Sequence, residues 1–201
     1  MLTVPREEKI VSLDEGNIQQ SSRNFEGGKE PPTGAEHAGA GLLLRMPRAE
    51  DGPGVSRLIA SSPPLDTNSA YCNLLQCTDF RDTCVVAERN GEVMGWISAY
   101  RPPAHPERLF VWQVAVDARA RGEGLALRML EELLAHPAAA SATELTTTIT
   151  EDNSASLALF RAFARRRNAP LAKSPRFERE AHFAGAHDTE WEVRIALPPT
   201  S

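Results

Sequence analysis

Residues 109–124 read Leu109-Phe-Val-Trp-Gln-Val-Ala-Val-Asp-Ala-Arg-Ala-Arg-Gly-Glu-Gly124, and this stretch decides the fold. Its first half is an apolar run, which predicts a buried strand. Its second half contains two closely spaced glycines, which predict a tight turn because glycine adopts backbone conformations that other residues avoid. Leucines and Met129 then recur at helical spacing until Pro137, so an amphipathic helix should follow. Free amides and the positive end of the helix dipole meet at such a turn, which predicts an anion-binding site.

Two common phosphate-binding motifs do not fit this turn. A P-loop requires Lys and then Ser or Thr after its second glycine, but here Leu125-Ala126 follows. A dinucleotide-binding loop requires a third glycine, and none follows Gly124 at the required spacing. A glycine loop that merely opens a helix is the remaining structural explanation for the hexapeptide Arg119–Gly124 taken alone.

The flanking sequence predicts strands and helices around this central unit. Asn90-Gly91 between two β-type runs is the usual signal for a tight hairpin. Strands are expected at 42–46, 83–88, 92–100, 144–150, 172–180 and 190–197; helices are expected from Glu50 to Pro63 and after Asn153, and residues 68–80 predict a helix or an irregular loop. This order of elements predicts an α+β fold with one mixed central sheet flanked by helices.

Length and composition predict one ordinary globular domain with a tail. The chain has 201 residues, 41% of them hydrophobic. Residues 1–41 lack hydrophobic periodicity and predict a disordered N-terminal extension, so the domain should span 42–197, with a short tail at 198–201. The net charge of -5 gives no reason to expect a nucleic-acid partner. The arginine run 165–167 is explained more simply as a solvated cluster at a helix end.

The cysteines and the hydropathy pattern bear on metal binding and compartment. Cys72, Cys77 and Cys84 form no C-x-x-C pair, so we expect no metal site. An odd number of cysteines without a secretory segment predicts a reducing compartment, the cytoplasm. No apolar run approaches the roughly 20 residues needed to span a bilayer, so no membrane partner is expected.

Two motifs resemble the signatures of the GCN5-related N-acetyltransferases (GNAT). The turn Arg119–Gly124 resembles the family's R/Q-x-x-G-x-G/A loop, and Asn153-Ser-Ala-Ser-Leu-Ala-Leu-Phe160 resembles its second signature. The resemblance implies a GNAT fold whose fourth and fifth strands splay apart, with acetyl-CoA as co-substrate and no metal. It implies coenzyme A contacts by Val114, Ala115, Val116, Arg119, Ala120, Arg121, Gly122, Glu123, Gly124, Leu125, Asn153, Ser156 and Phe160. Asn153 also fits a plain helix cap.

One position departs from the family pattern. Many members carry a tyrosine seven residues after the asparagine, where it can protonate the departing thiolate. This chain has Phe160, which has no proton to give. The thiolate must therefore be protonated by another group or leave unprotonated.

Longer phrases resemble one branch of the family, the diaminobutyrate acetyltransferases of ectoine biosynthesis. These phrases are Pro63-Pro-Leu-Asp-Thr-Asn-Ser69 with Tyr71, 109–116, 146–153, and His182-Phe-Ala-Gly-Ala-His-Asp-Thr-Glu190. The resemblance implies acetyl transfer to the γ-amine of L-2,4-diaminobutyrate by direct attack in a ternary complex. It also implies a cytoplasmic homodimer that serves osmotic protection.

Residues for the small diamino acid follow from this narrower resemblance. The expected substrate contacts are Asp66, Asn68, Ser69, Tyr71, Trp112, Thr148, His187 and Glu190, with Glu190, Asp66 and His187 as the candidates for catalysis. Strand alternation predicts that Trp112 and Val114 face one side of the sheet, with Gln113 and Ala115 on the other.

Simpler roles remain open for several of these residues. The segment 66–69 also suits a helix cap, Trp112 suits a core position, and His187 suits a surface turn. Cys72 or Cys77 as a nucleophile lacks an evident histidine partner. The alternative functions are acetylation of another small amine and a non-catalytic acetyl-CoA sensor.

Overall fold

The computed structural model describes residues 41–197. The predictions made for residues 1–40 and for the tail 198–201 lie outside these residues. The strands are β1 (Leu43–Arg45), β2 (Val85–Arg89), β3 (Glu92–Tyr100), β4 (Arg108–Val116), β5 (Glu144–Ile149), β6 (Leu171–Phe177) and β7 (Glu190–Ala196). The helices are α1 (Gly52–Ala60), α2 (Ala70–Thr78), α3 (Leu125–Ala135), α4 (Pro137–Ala140), α5 (Ser154–Arg166) and α6 (Arg179–Phe183).

The strands form one seven-stranded sheet in the order β1-β2-β3-β4-β5-β7-β6. Strands β4 and β5 run parallel, and the other neighbouring pairs run antiparallel. Two apolar clusters cover the two faces of this sheet. The α3/α5 cluster packs residues such as Met129 and Phe163 against it, and the α1/α2 cluster packs residues such as Val55 and Cys77. The predicted α+β architecture with a mixed central sheet is confirmed.

The hairpin, the segment 68–80 and the end of β6 can each be compared with what the sequence predicted. Asn90 and Gly91 both have positive φ, 54° and 78°, as a two-residue hairpin turn requires, so the predicted hairpin is confirmed. The ambiguous segment 68–80 contains helix α2. The last but one strand was predicted too long, because it ends at Phe177 and helix α6 begins at Arg179.

The parallel strands separate soon after they pair. Register pairs between β4 and β5 are confined to 108–110 and 144–146. From Val111 onward β4 remains paired with β3, while β5 remains paired with β7 through Ile149. The sheet is therefore splayed between its fourth and fifth strands, as the family resemblance implied.

A β-bulge on β4 overturns one prediction from alternation. Ser98 pairs with Gln113 and Ala99 with Val111, so Trp112 is the extra residue on β4. Val111 and Val114 consequently both pack with the α3/α5 cluster. Gln113 bonds to Asn68 beside α2, on the same side of the sheet as the cavity that Trp112 lines. The prediction that Trp112 shares a face with Val114 was wrong, because a bulge shifts the alternation by one residue.

Candidate active site

The glycine turn presents an open surface at the start of α3. Gly122 and Gly124 have φ of +81° and +69°, and a Cβ added at either would meet nothing within 4 Å. Gly124 is the N-cap of α3 and is left-handed. The amides of the first helical turn lack partners inside the helix, so the turn offers donors to an anion in open space.

A cavity of about 350 Å³ lies beside this turn, and we call it the turn-side cavity. Its walls come from the last residues of β4, the starts of α3 and α5, and the segment after α1. Six residues predicted for cofactor binding line it: Val114, Ala115, Val116, Arg121, Asn153 and Ser156. Sequence reasoning missed the other lining residues, most of which are apolar and contribute shape rather than a chemical signal: Ser62, Pro63, Pro64, Leu65, Ala126, Ala155 and Leu159.

Other predicted cofactor residues direct their side chains elsewhere. Arg119 binds Asp117 at 3.0 Å and Glu92 at 2.8 Å. Glu123 is paired with Arg89 at 2.6 Å. The side chains of Ala120, Leu125 and Phe160 are buried in the α3/α5 cluster. For the three buried residues a contact to the cofactor would have to come from the backbone, whereas the side chains of Arg119 and Glu123 are 62% and 42% exposed.

Asn153 sits where both of its predicted roles can be met. Its side-chain oxygen accepts a hydrogen bond from the Ser156 amide at 3.0 Å, which makes it the N-cap of α5. It also lines the turn-side cavity. The cap bond engages the side-chain oxygen and fixes the orientation of the side chain, so the NH2 group remains free to donate to a ligand.

A second cavity, of about 440 Å³, lies between α2 and the splayed strands, and we call it the α2-side cavity. Trp112 and Thr148 line it, as does Cys72. The wall also includes Tyr100, Phe110 and Phe177, aromatic residues that sequence reasoning missed. Their sequence positions indicate only strands, and the splay is what opens this part of the sheet to a cavity.

The segment 66–69 is tied to β4 through Gln113. The Gln113 side chain donates to the Asp66 carbonyl at 2.8 Å and accepts from Asn68 at 2.9 Å. The same Asn68 amide donates to Asn73 at 3.2 Å, so its two N–H groups are used and its oxygen is left to accept. Gln113 and Asn73 are 4% and 1% exposed, which makes this a buried amide network.

Two further residues of this segment, Ser69 and Tyr71, lie at the start of α2. The Ser69 hydroxyl accepts from the Cys72 amide at 3.1 Å and caps α2, as its simpler interpretation held. Tyr71 is 69% exposed in the first turn of α2. The α2-side cavity is not lined directly by the following predicted substrate residues: Asp66, Asn68, Ser69, Tyr71, His187 and Glu190.

Glu190 is surrounded by the predicted catalytic groups. Burial raises the pKa of its carboxyl above the ordinary value, and the negative charges of Asp66 and Asp152 raise it further. A hydrogen bond from Thr148 and the charge of His187 act in the opposite direction. Asp66, Thr148 and His187 are therefore near enough for their charges or hydrogen bonds to act on Glu190, although Asp66 and Thr148 lie far from it in the sequence. A half-buried carboxyl with a raised pKa is suited to accept a proton near neutral pH.

The cysteine thiols are free, and two of them are inert. Burial raises the pKa of Cys77 to about 11 and that of Cys84 to about 12. Neither thiol is therefore available as a thiolate near neutral pH. Among residues 41–197 there is no group of three or more His, Cys, Asp or Glu side chains that could hold a metal ion.

No helix in the described part of the chain is both long and apolar enough to cross a membrane.

The chain is similar to a family model, to known proteins in sequence and to solved structures. Residues 55–164 match the sequence model of the acetyltransferase (GNAT) family. An L-2,4-diaminobutyric acid acetyltransferase of Methylotuvimicrobium alcaliphilum is 46% identical over 154 residues, 77% of this chain and 90% of that protein. One of Vibrio parahaemolyticus is 47% identical over 155 residues, 77% of this chain and 86% of that protein.

A solved structure resembles the chain in fold as well as sequence. It is a diaminobutyrate acetyltransferase from Paenibacillus lautus in complex with its substrate L-2,4-diaminobutyric acid and coenzyme A. The TM-score is 0.75 and the identity 36%, and the match covers 81% of this chain and all (100%) of that one. With the splayed sheet and the glycine turn, these matches establish that the chain belongs to the acetyltransferase (GNAT) family.

Proposed function

We propose that the protein transfers the acetyl group of acetyl-CoA to the γ-amine of L-2,4-diaminobutyrate and releases N4-acetyl-L-2,4-diaminobutyrate for ectoine synthesis. The observation that carries the proposal is the placement of two cavities along β4. Trp112 lines the α2-side cavity, and Val114, two residues further along, lines the turn-side cavity. One strand thus joins an anion-binding turn to a pocket with a proton acceptor near it, as direct transfer between two bound substrates requires.

The turn-side cavity fits coenzyme A. Gly122 and Gly124 leave open space in front of the first amides of α3, where a pyrophosphate would be held. Arg121 lines the same cavity and supplies a positive charge. Asn153 and Ser156 face it from α5, where they can bind the amides of a pantetheine arm. When bound, the co-substrate supplies an acetyl thioester.

Glu190 would act as the base for the acceptor amine. An amine of this kind titrates near pKa ~10, so at neutral pH it arrives protonated. The carboxylates of Glu190 and Asp66 attract the ammonium, and Glu190, whose pKa is raised by burial, can take the proton directly or through a water. His187 is the alternative acceptor. The neutral amine then attacks the thioester without a covalent enzyme intermediate.

Backbone amides of β4 would stabilise the negative charge that develops on the thioester oxygen. Register pairs with β5 end at Phe110, so among the described residues the amides of β4 that face the splay have no partner on β5. We assign the donor to the amide near Val114, because a fixed backbone donor is an effective oxyanion stabiliser. Phe160 is 2% exposed and cannot protonate the thiolate, so that proton must come from elsewhere.

Thiol release with different amines tests this proposal. Acetyl-CoA is incubated with L-2,4-diaminobutyrate, ornithine, lysine, spermidine or no amine. We expect a strong preference for diaminobutyrate, with the product identified by mass spectrometry as the N4 isomer. Preference for another amine would contradict the substrate assignment, and binding of acetyl-CoA without turnover of any amine would favour a sensor.

We further propose a cytoplasmic homodimer that serves osmotic protection. Free thiols suit a reducing compartment. Helix α2 exposes Tyr71 and Leu74, apolar side chains of the kind that a second subunit covers. Light scattering should give twice the chain mass of 22.0 kDa, and a monomer at micromolar concentration would contradict the dimer.

A further inference from the structure

A second bulge places Arg176 on the cavity face of the sheet. Pro175 pairs with Trp191 and Phe177 with Glu190, so Arg176 is the extra residue on β6. Its guanidinium contacts the Glu192 carboxylate at 3.1 Å. Glu192 pairs with Thr148 in the β5–β7 register, and Thr148 lines the α2-side cavity. Arg176 therefore lies on the side of the sheet that holds this cavity.

The guanidinium lies against the cavity wall. Its central carbon is 5.0 Å from the ring centre of Phe110 and 5.0 Å from that of Phe177. Both rings line the α2-side cavity. Arg176 itself is not one of the residues that line the cavity, but it packs against two that do, and its side chain is 31% exposed.

Arg176 shares its carboxylate partner with a second arginine. One oxygen of Glu192 contacts Arg176 at 3.1 Å and the other contacts Arg194 at 2.6 Å, and Arg194 also lies 4.0 Å from Glu144. Arg176 is thus held by a single contact to one Glu192 oxygen, which leaves other N–H groups of its guanidinium to donate to a ligand. Carboxylates gather around Glu190, where the charges of Asp66 and Asp152 act on the same carboxyl. The region therefore combines carboxylates at Glu190 with a guanidinium at Arg176.

We propose that Arg176 binds the α-carboxylate of the acceptor and thereby selects diamino acids over diamines that lack a carboxylate. This inference rests on the proposed function. A diamino acid presents an ammonium for the Glu190 end and a carboxylate for a guanidinium, whose planar fork matches a carboxylate in two parallel hydrogen bonds. Among the substrate contacts predicted from the sequence, only His187 can be cationic. Arg176 supplies a permanent cation for that carboxylate.

The test compares L-2,4-diaminobutyrate with 1,3-diaminopropane, the same carbon skeleton without the carboxylate. Steady-state kinetics are measured for the unchanged protein, Arg176→Met and Arg176→Lys. In Arg176→Met we expect kcat/KM for diaminobutyrate to fall about tenfold to a hundredfold, mainly through KM, while that for diaminopropane stays within about twofold. Arg176→Lys should recover part of the loss, since it keeps the charge but not the fork.

Lys173→Met is the matched control. Lys173 is a cation on the same strand, but it stands over Trp191 at 4.6 Å and pairs in register with Val193, a residue of the α3/α5 cluster on the other face. Lys173→Met should leave kcat/KM for both substrates unchanged. An unchanged KM for acetyl-CoA and an unchanged melting temperature check that the Arg176 variants are folded.

The possible outcomes distinguish a failure of this inference from a failure of the proposed function. If the unchanged protein acetylates diaminobutyrate but Arg176→Met lowers kcat/KM equally for both substrates, Arg176 is only a counter-ion for Glu192. In that case the inference fails and the proposed function stands. Equal use of both substrates by the unchanged protein also overturns it. If the unchanged protein does not acetylate diaminobutyrate, the proposed function itself fails.

Discussion

The environment of Glu190 favours catalysis but costs the folded protein stability. Burial and the nearby charges of Asp66 and Asp152 raise its pKa, which makes it a stronger base. The same factors make the ionised carboxyl costly to the folded state, because the unfolded chain imposes neither. Substitution of Glu190 should therefore lower activity and raise stability.

Substitution Glu190→Gln should lower kcat roughly a hundredfold to ten-thousandfold, the usual contribution of a general base. The kcat profile of the unchanged protein should rise with pH through the raised pKa of Glu190, and the variant should lack this rise. A variant that retains most of its kcat would transfer the role to His187 or Asp66.

The same substitution should stabilise the protein at neutral pH. A carboxyl with a raised folded-state pKa destabilises the fold as pH rises above its unfolded-state value, and the effect is complete above the folded-state pKa. Glu190→Gln removes this effect, so its melting temperature should exceed that of the unchanged protein at pH 7. The difference should vanish near pH 4, where the carboxyl is protonated in both states. A lower melting temperature at pH 7 would contradict the assigned environment.

Gln113 should act by positioning the segment at Asp66. Gln113→Leu leaves the Asp66 carbonyl and the Asn68 amide without their buried partner, at a cost of about 1–3 kcal/mol. We expect KM for the amine to rise while KM for acetyl-CoA changes little. In a double-mutant cycle with Asn68→Ala the two effects should be non-additive, and strict additivity would show that the network does not couple these residues.

At the scale of elements, periodicity predicted the strands and helices well and the bulges not at all. The apolar run 109–116, the Asn90-Gly91 hairpin and helix α3 each carry a local signal in their own residues. The bulge at Trp112 depends on how β4 pairs with β3, a relation between distant segments. For the same reason Arg176 could not be found from the sequence, since its own strand gives no sign that it turns toward Phe110.

The glycine turn allows a controlled test of cofactor binding. Gly124→Ala forces an alanine to φ near +69°, which should cost about 1–2 kcal/mol. If the open space there is filled by the cofactor, KM for acetyl-CoA should also rise, by tenfold or more. Gly91→Ala is the matched control, because Gly91 has φ of +78° and equally open surroundings but lies on the hairpin. Both variants should lose similar stability, and a similar rise in KM for both would contradict a ligand at Gly124.

At the scale of the whole molecule, the site draws on segments far apart in the chain. Asp66, Trp112, Thr148 and Glu190 converge because β4 and β5 splay beneath α2. The longer phrases that resemble diaminobutyrate acetyltransferases predicted this set, and the spacing of the residues could not have done so. What the resemblance missed is the shape of the cavities, which depends on apolar residues such as Phe110 and Leu159.

The described domain contains both cavities, so the N-terminal extension should be dispensable for chemistry. Deletion of residues 1–38 should leave kcat/KM nearly unchanged in the thiol-release assay. The full chain, prepared in parallel, is the reference. A loss of more than tenfold would mean that the extension contributes to the site or to the dimer.

The bulge at Trp112 also gives β4 a place where its length can change during evolution. Loss of the codon for Trp112 would leave Val111 opposite Ala99 and Gln113 opposite Ser98, so strict alternation would return without exchanging the faces of the side chains that follow. Val114 and Val116 would stay with the α3/α5 cluster, and Gln113 would still reach Asp66. Loss of a residue further along β4 would instead move the side chains beyond it to the opposite face. The strand can therefore lose its bulge at the cost of one cavity-lining side chain, whereas a deletion beyond the bulge disturbs both faces of the sheet.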